Sequence, residues 1–143
     1  MDGVILFVAG QSYGQVEEAM RPYGFRSGNV SDGTRTFFFR RYPEWGSEIE
    51  PGEDAELERR LGGAVTAAFV VESRHGGNAR FALEALACVM ETMHRSAVED
   101  HLGGLWCPEQ IAVHALVADH DVFSLPQRAN PAVQRKATPP TDL

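Results

Sequence analysis

The chain has 143 residues, 43% of them hydrophobic, with 20 acidic against 13 basic side chains and a formal net charge of −7. This size and composition give one globular domain, able to bury roughly 70% of its unfolded surface without covalent staples. The acidic balance argues against general nucleic-acid binding, which needs many cationic phosphate contacts. No apolar run approaches the ~20 residues that span a bilayer. The start Met1, Asp2, Gly3 lacks the basic opening of a secretion signal, so export by that route is not expected. Two cysteines make no disulfide framework, and free thiols fit a reducing cytosol. The expectation is a cytoplasmic domain without a membrane segment.

Val4–Ala9 is a continuous apolar run and reads as a central strand. A helix follows, with Val16, Ala19, Met20 and Tyr23 on one face. Ser12 and Gln15 form the S-x-x-Q pattern of a capping box, and Pro22 with Gly24 ends the helix. Gly28–Gly33 is turn-rich. Thr34–Tyr42 then alternates, with Arg35, Phe37, Phe39 and Arg41 on one side and Thr36, Phe38 and Arg40 on the other. Phenylalanines on both faces predict a strand inside the sheet, or one covered by a later part of the chain.

Pro43–Gly63 is acidic. A short helix starting at Pro51 places acids in its first turn and arginines in its last, matching the helix dipole. Its thin apolar content, Leu57 and Leu61, predicts a surface position. Ala64–Val71 is β-branched and apolar, as in a strand covered on both faces. The turn Ser73–Gly77 follows, and Asn78 is placed to cap the longest helix. Ala82, Leu86, Val89 and Met93 form its apolar stripe, widened by Phe81, Ala85, Cys88 and Thr92. Arg80, Glu84, Glu91 and Arg95 lie opposite. Cys88 reads as a buried free thiol.

Leu105–Cys107 reads as a strand, and Ile111–Val117 as a strand or a helix begun at Pro108, the helix being favoured. The prolines after Leu125 predict a disordered tail over 125–143, leaving residues 1–124 as the domain. The order is β-α-β, an acidic connection over 43–63, then β-α-β. It predicts an α+β domain that is ferredoxin-like or a related two-layer sandwich of βαβ half-units.

Gly10–Gly14 is a literal G-x-S-x-G between a strand and a helix, the setting of a nucleophilic serine in α/β-hydrolases. Ser12 is then the nucleophile, the Tyr13 amide an oxyanion donor, and His120 with Asp119 or Asp121 the candidate partners. Only one strand precedes the motif, and Gln15 is bulky for a packed elbow. Capping explains the same residues, so no catalytic residue is favoured.

Arg74, His75, Gly76, Gly77 and Asn78 combine a cation, a histidine and free helix amides, a setting for an anion. The P-loop lysine is missing, and an ordinary glycine turn explains the stretch too. Glu91, His94 and His101 have ligand-like types, but Glu91 pairs favourably with Arg95 at i,i+4, and a solvated surface is expected. Asp119, His120 and Asp121 are consecutive and cannot all face one ion. No metal and no cofactor are expected.

The acidic stretch with Trp45, Glu48, Glu50, Glu53, Asp54 and Glu56 is the candidate surface for a basic protein partner. Carboxylates steer such a partner and an aromatic anchors it. The competing explanations are a solvated loop whose tryptophan packs back on the sheet, and acids paired within the chain to the arginines of Thr34–Tyr42. An uncovered sheet edge would suffice for a homodimer.

The layout, a long helix followed by the strand Gly103–Cys107, resembles small bacterial immunity proteins that neutralise secreted toxins. The preference for arginine, with Lys136 the one lysine, suits a GC-rich bacterial gene. The resemblance covers roughly Ala64–Cys107 and carries over no functional residue. It implies a non-enzymatic inhibitor acting by protein binding.

Overall fold

The computed structural model describes residues 2–42, 55–73, 76–100, 103–113 and 123. Among the described residues the chain is mixed α+β, built on a seven-stranded sheet ordered β2-β3-β4-β5-β1-β6-β7, with every neighbouring pair antiparallel. The strands are β1 (Asp2–Ala9), β2 (Phe25–Arg26), β3 (Asn29–Ser31), β4 (Thr36–Arg41), β5 (Val65–Ser73), β6 (Ser96–Glu99) and β7 (Leu105–Trp106). The helices are α1 (Tyr13–Met20), α2 (Ala55–Leu61), α3 (Gly76–Thr92) and α4 (Pro108–Ala112). Among the described residues no helix is long and apolar enough to cross a membrane.

The apolar run of β1 takes the centre, between β5 and β6. From β1 through α1 the chain reaches β4, parallel to β1 but separated from it by β5. From β5 through α3 it reaches β6, parallel to β5 but separated from it by β1. Each helical crossover therefore skips one strand, and the two crossovers interlock.

One sheet face packs against α1 and α3. Val4, Leu6 and Val8 of β1, with Ala67, Phe69 and Val71 of β5, meet Val16, Met20, Ala82, Leu86, Val89 and Met90 there. Phe39 stacks on Phe69 with centroids 4.4 Å apart. The register pairs Phe39 with Val71 and Arg41 with Phe69, so this is a diagonal cross-strand contact. Phe37 meets Phe81 of α3 edge-on at 5.3 Å. Phe123 is also fully buried in this core.

The opposite face carries the second apolar cluster, and here the expected surface position of α2 is corrected. Leu57 and Leu61 are buried against Phe7, Ala9, Ala68 and Ala97. Two leucines suffice because each contributes about 1.5–3 kcal/mol when fully covered. The dipole reading holds, with Glu56 and Glu58 in the first turn and Arg59 and Arg60 in the last. Residues 51–54, where that helix was expected to start, lie outside the described residues.

Further expectations are corrected. The turn-rich stretch Gly28–Gly33 also carries β3, which pairs with β2 just before it in a hairpin closed by Ser27 and Gly28, both at positive φ. A two-residue loop with that geometry matches the twist of its strands. The long helix ends at Thr92, and Ser96–Glu99 forms β6, so Leu105–Trp106 is an added edge strand. Helix α3 begins at Gly76, placing Asn78 in its first turn instead of at the cap. Its apolar stripe is rotated, with Leu83 and Met90 buried while Cys88 and Thr92 are exposed. Arg95 lies beyond the helix and does not continue the Glu91 row. Its guanidinium donates to Leu61 O (3.2 Å) and to Gly62 O, capping α2. The helix reading of Pro108 onward holds over Pro108–Ala112, with Ile111 buried. Residues 114–122 and the expected tail over 125–143 lie outside the described residues.

Arg41 at the end of β4 makes a bidentate pair with Glu17 of α1, both bonds 2.8 Å, and its guanidinium lies 5.1 Å from the Tyr13 ring centroid. The hydrogen bond from Arg41 holds the Glu17 carboxyl below the usual range. A lowered folded pKa gives stability that is present above the unfolded carboxylate value and lost as pH falls through the folded one. We expect Glu17→Gln to cost no more than about 1 kcal/mol at neutral pH, because Arg41 is 54% and Glu17 21% exposed and solvent screens the pair. Urea denaturation should show that difference shrinking as the pH drops below about 4.

Candidate functional site

The motif around Ser12 folds as a helix start. Gln15 N donates to Ser12 Oγ (3.1 Å), and Ser12 N donates to Gln15 Oε1 (2.8 Å), completing the capping box. Ser12 has extended backbone, φ −82° and ψ 166°. Gly10, at φ 85°, supplies the turn out of β1. The Thr66 hydroxyl ties the following loop to β5, donating to Gln11 O (2.5 Å) and accepting from Gln11 N (3.1 Å). Asp119, His120 and Asp121 lie outside the described residues.

Of the glycine turn, Arg74 and His75 lie outside the described residues, and Gly76, Gly77 and Asn78 form the first turn of α3. Of the acidic surface, Trp45, Glu48, Glu50, Glu53 and Asp54 also lie outside them. Glu56 is described, and its carboxylate is engaged by Arg59 and, at 3.3 Å, by Arg60. The arginines of β4 and its approach pair elsewhere: Arg35 with Asp32, Arg41 with Glu17, and Arg40 over the Phe38 ring at 4.4 Å. Glu91 and His94 are exposed, as expected of a solvated face. Among the described residues no group of three or more His, Cys, Asp or Glu could hold a metal ion.

Cys107 caps α4, its N–H donating to Gln110 Oε1 (2.8 Å). Burial pushes its thiol pKa up, away from the thiolate form.

A site absent from the sequence reading forms where three elements meet. The turn Arg21–Gly24 after α1, the link from β3 to β4 and the first half of α3 enclose an open groove of about 470 Å³. The turn exists because Pro22 cannot extend α1. Gly24, at φ 96°, then reverses the chain, its N–H donating to Arg21 O (2.8 Å). The opposite wall is built by Asp32, whose Oδ1 accepts from the backbone N–H groups of Arg35 (2.7 Å) and Thr34 (2.9 Å). Its Oδ2 accepts from Arg35 Nε at 3.0 Å. Led by the Arg35 amide, these bonds hold the Asp32 carboxyl far below the usual range, so it stays charged.

Arg35, fixed in this way, extends over the face of Phe81, 4.6 Å from its centroid. Phe81 is itself 4% exposed, so the groove floor here is a guanidinium laid over a buried ring. Arg21 on the rim pairs with Glu18 at 3.1 Å. Glu84 of α3 closes the other side and has no ion-pair partner among the described residues. The Tyr23 hydroxyl has its pKa pushed up to about 12, chiefly by its hydrogen bond with Cys88, then by burial, and also by the charges of Glu84 and Glu91.

The turn signals Pro22, Gly24 and Gly28–Gly33, though not Asp32 within that stretch, were legible in the sequence. Their convergence on one face of α3 was not, because nothing local relates residues 21–35 to residues 81–84. No family model matches the chain, and no curated protein or solved structure matches it.

Proposed function

We propose that the chain is a non-enzymatic protein-binding domain on a ferredoxin-like scaffold. The strand order β4-β5-β1-β6, with two crossovers that each skip a strand, supports that scaffold, extended by the β2–β3 hairpin on one side and β7 on the other. The groove between Arg21–Gly24, the β3–β4 link and α3 carries the functional reading. Its floor, where Arg35 covers Phe81, and its rim of both charge signs suit a protein-recognition surface, where a partner side chain anchors and polar neighbours set its register. The acidic stretch with Trp45, Glu48, Glu50, Glu53, Asp54 and Glu56 adds long-range attraction for a basic partner. Blocking that partner by occupancy, as the resemblance to immunity proteins implies, is the narrower form of this reading.

The test is retention of a partner by the tagged chain from lysate of the cells that encode it. We expect one dominant protein, identified by mass spectrometry and released at about 1 M salt, where screening shortens to about 3 Å. The double variant Arg21→Ala/Glu84→Ala should lose it. Neutralising Glu50, Glu53, Asp54 and Glu56 should weaken its capture and flatten the salt dependence. Retention that neither set of substitutions changes would overturn the reading.

A further inference from the structure

We infer that the groove beside Phe81 receives a guanidinium, an arginine side chain of the partner, with Glu84 as its counter-ion. The inference rests on the protein-binding reading above and adds the chemistry of the group recognised. Four charged residues line the groove, and three of them are already neutralised. Arg35 and Asp32 hold each other at 2.8 Å, and Arg21 is held by Glu18. Glu84, exposed on α3, is the lining charge left without an ion-pair partner among the described residues. The unmet electrostatic demand is therefore for a cation.

The neighbourhood reinforces that sign. Behind the Cys88 hydrogen bond and burial, Glu84 and Glu91 both help to raise the pKa of the Tyr23 hydroxyl, so both carboxylates act on the space beside Tyr23. The shape favours a planar cation over a compact ammonium. The groove already holds one guanidinium over an aromatic ring, Arg35 at 4.6 Å from the Phe81 centroid, and Tyr23 lines the same space. Planar guanidinium groups stack on such surfaces and bind carboxylates through paired donors, which a lysine ammonium does not reproduce. A volume of about 470 Å³ lies within the range of small-ligand sites, ample for one side chain and its flanking backbone.

The test is a titration of the purified full chain, followed by amide NMR, with three blocked tripeptides: acetyl-Gly-Arg-Gly-amide and its lysine and glutamate analogues. The arginine peptide should shift the amides of Tyr23, Asp32, Phe81 and Glu84 and leave those of β1 unmoved. Glu84→Gln, checked as folded by its own spectrum, should weaken that binding about tenfold or more, the value of one charge-assisted pair. Equal shifts from the lysine peptide, a response to the glutamate peptide, or no localised shift at tens of millimolar would each overturn the inference. Those outcomes leave partner capture by the groove as a separate measurement, since Arg21→Ala/Glu84→Ala reports on the surface whatever group it recognises.

Discussion

Gly24→Ala should be the most damaging single-methyl substitution among the described glycines, costing about 3–4 kcal/mol in urea denaturation. Two independent costs combine. Gly24 sits at φ 96°, where an L side chain is strained by about 1–2 kcal/mol. A Cβ built there would also lie 1.9 Å from Ser31 O, a backbone atom that cannot rotate aside. Relieving that overlap means breaking the 3.2 Å bond from Ser31 N to Gly24 O and moving the β2–β3 hairpin away from the turn. Gly33→Ala separates the two costs. Gly33 has φ 100° but no atom within 4 Å of the added methyl, so it should lose only the strain. A domain of ordinary stability, about 5–15 kcal/mol, would survive Gly33→Ala easily and Gly24→Ala narrowly. Equal losses from the two variants would show that the close approach of the turn to Ser31 is not maintained.

Asp100→Ala should be comparably severe, at about 3–5 kcal/mol, measured the same way. Asp100 is 5% exposed and sits between β6 and β7. Its Oδ1 accepts from Gly104 N at 2.9 Å, and its Oδ2 from Trp106 Nε1 at 2.8 Å. Hydrogen bonds to a charged acceptor contribute about 1.5–3 kcal/mol each, and removing the carboxylate leaves two buried donors facing nothing. Asp100→Asn keeps the shape but turns one acceptor into a donor, so it should lose part of that amount. Trp106→Phe removes one orphaned donor in advance. The double variant Asp100→Ala/Trp106→Phe should therefore cost clearly less than the sum of its parts. Strict additivity would mean the indole and the carboxylate do not act as a pair. Trp106 is 1% exposed, and its ring reaches the main core from an edge strand of two residues, so this pairing decides whether β7 stays on the sheet.

Patterns that repeat locally carried most of the fold. The unbroken apolar run of β1 and the mixed run of β5 identify strands covered on two sides, and both occupy the middle of the sheet. The S-x-x-Q box at Ser12 identifies a helix start, because cap and backbone amides are near neighbours in sequence. Phenylalanines on both faces of β4 identify an interior strand, and it lies between β3 and β5. Short elements escaped. β2, β3 and β6 have two to four residues each, too few for a period-two pattern, and pairing with a longer neighbour makes them strands. Cys88 was misplaced because 3.6-residue periodicity gives the width of an apolar stripe better than its centre. The buried Leu83 and Met90 set that centre on the other side.

The sequence by itself determined the α+β class, the central strands, the long helix and the acidic surplus, all consequences of composition and short-range spacing. Tertiary structure decided the rest. It set the interlocked strand order, because β1 is inserted between β5 and β6, both distant from it in sequence. It brought α2 onto the second face, because two leucines found Phe7, Ala68 and Ala97 there. It made Arg95 the cap of α2 instead of one more residue on a polar helix face. It also assembled the groove, where Arg35 lies over Phe81 across 46 positions of sequence and leaves Glu84 as the charge to be met. Contacts at that separation are fixed by how the layers close, and no local pattern records them.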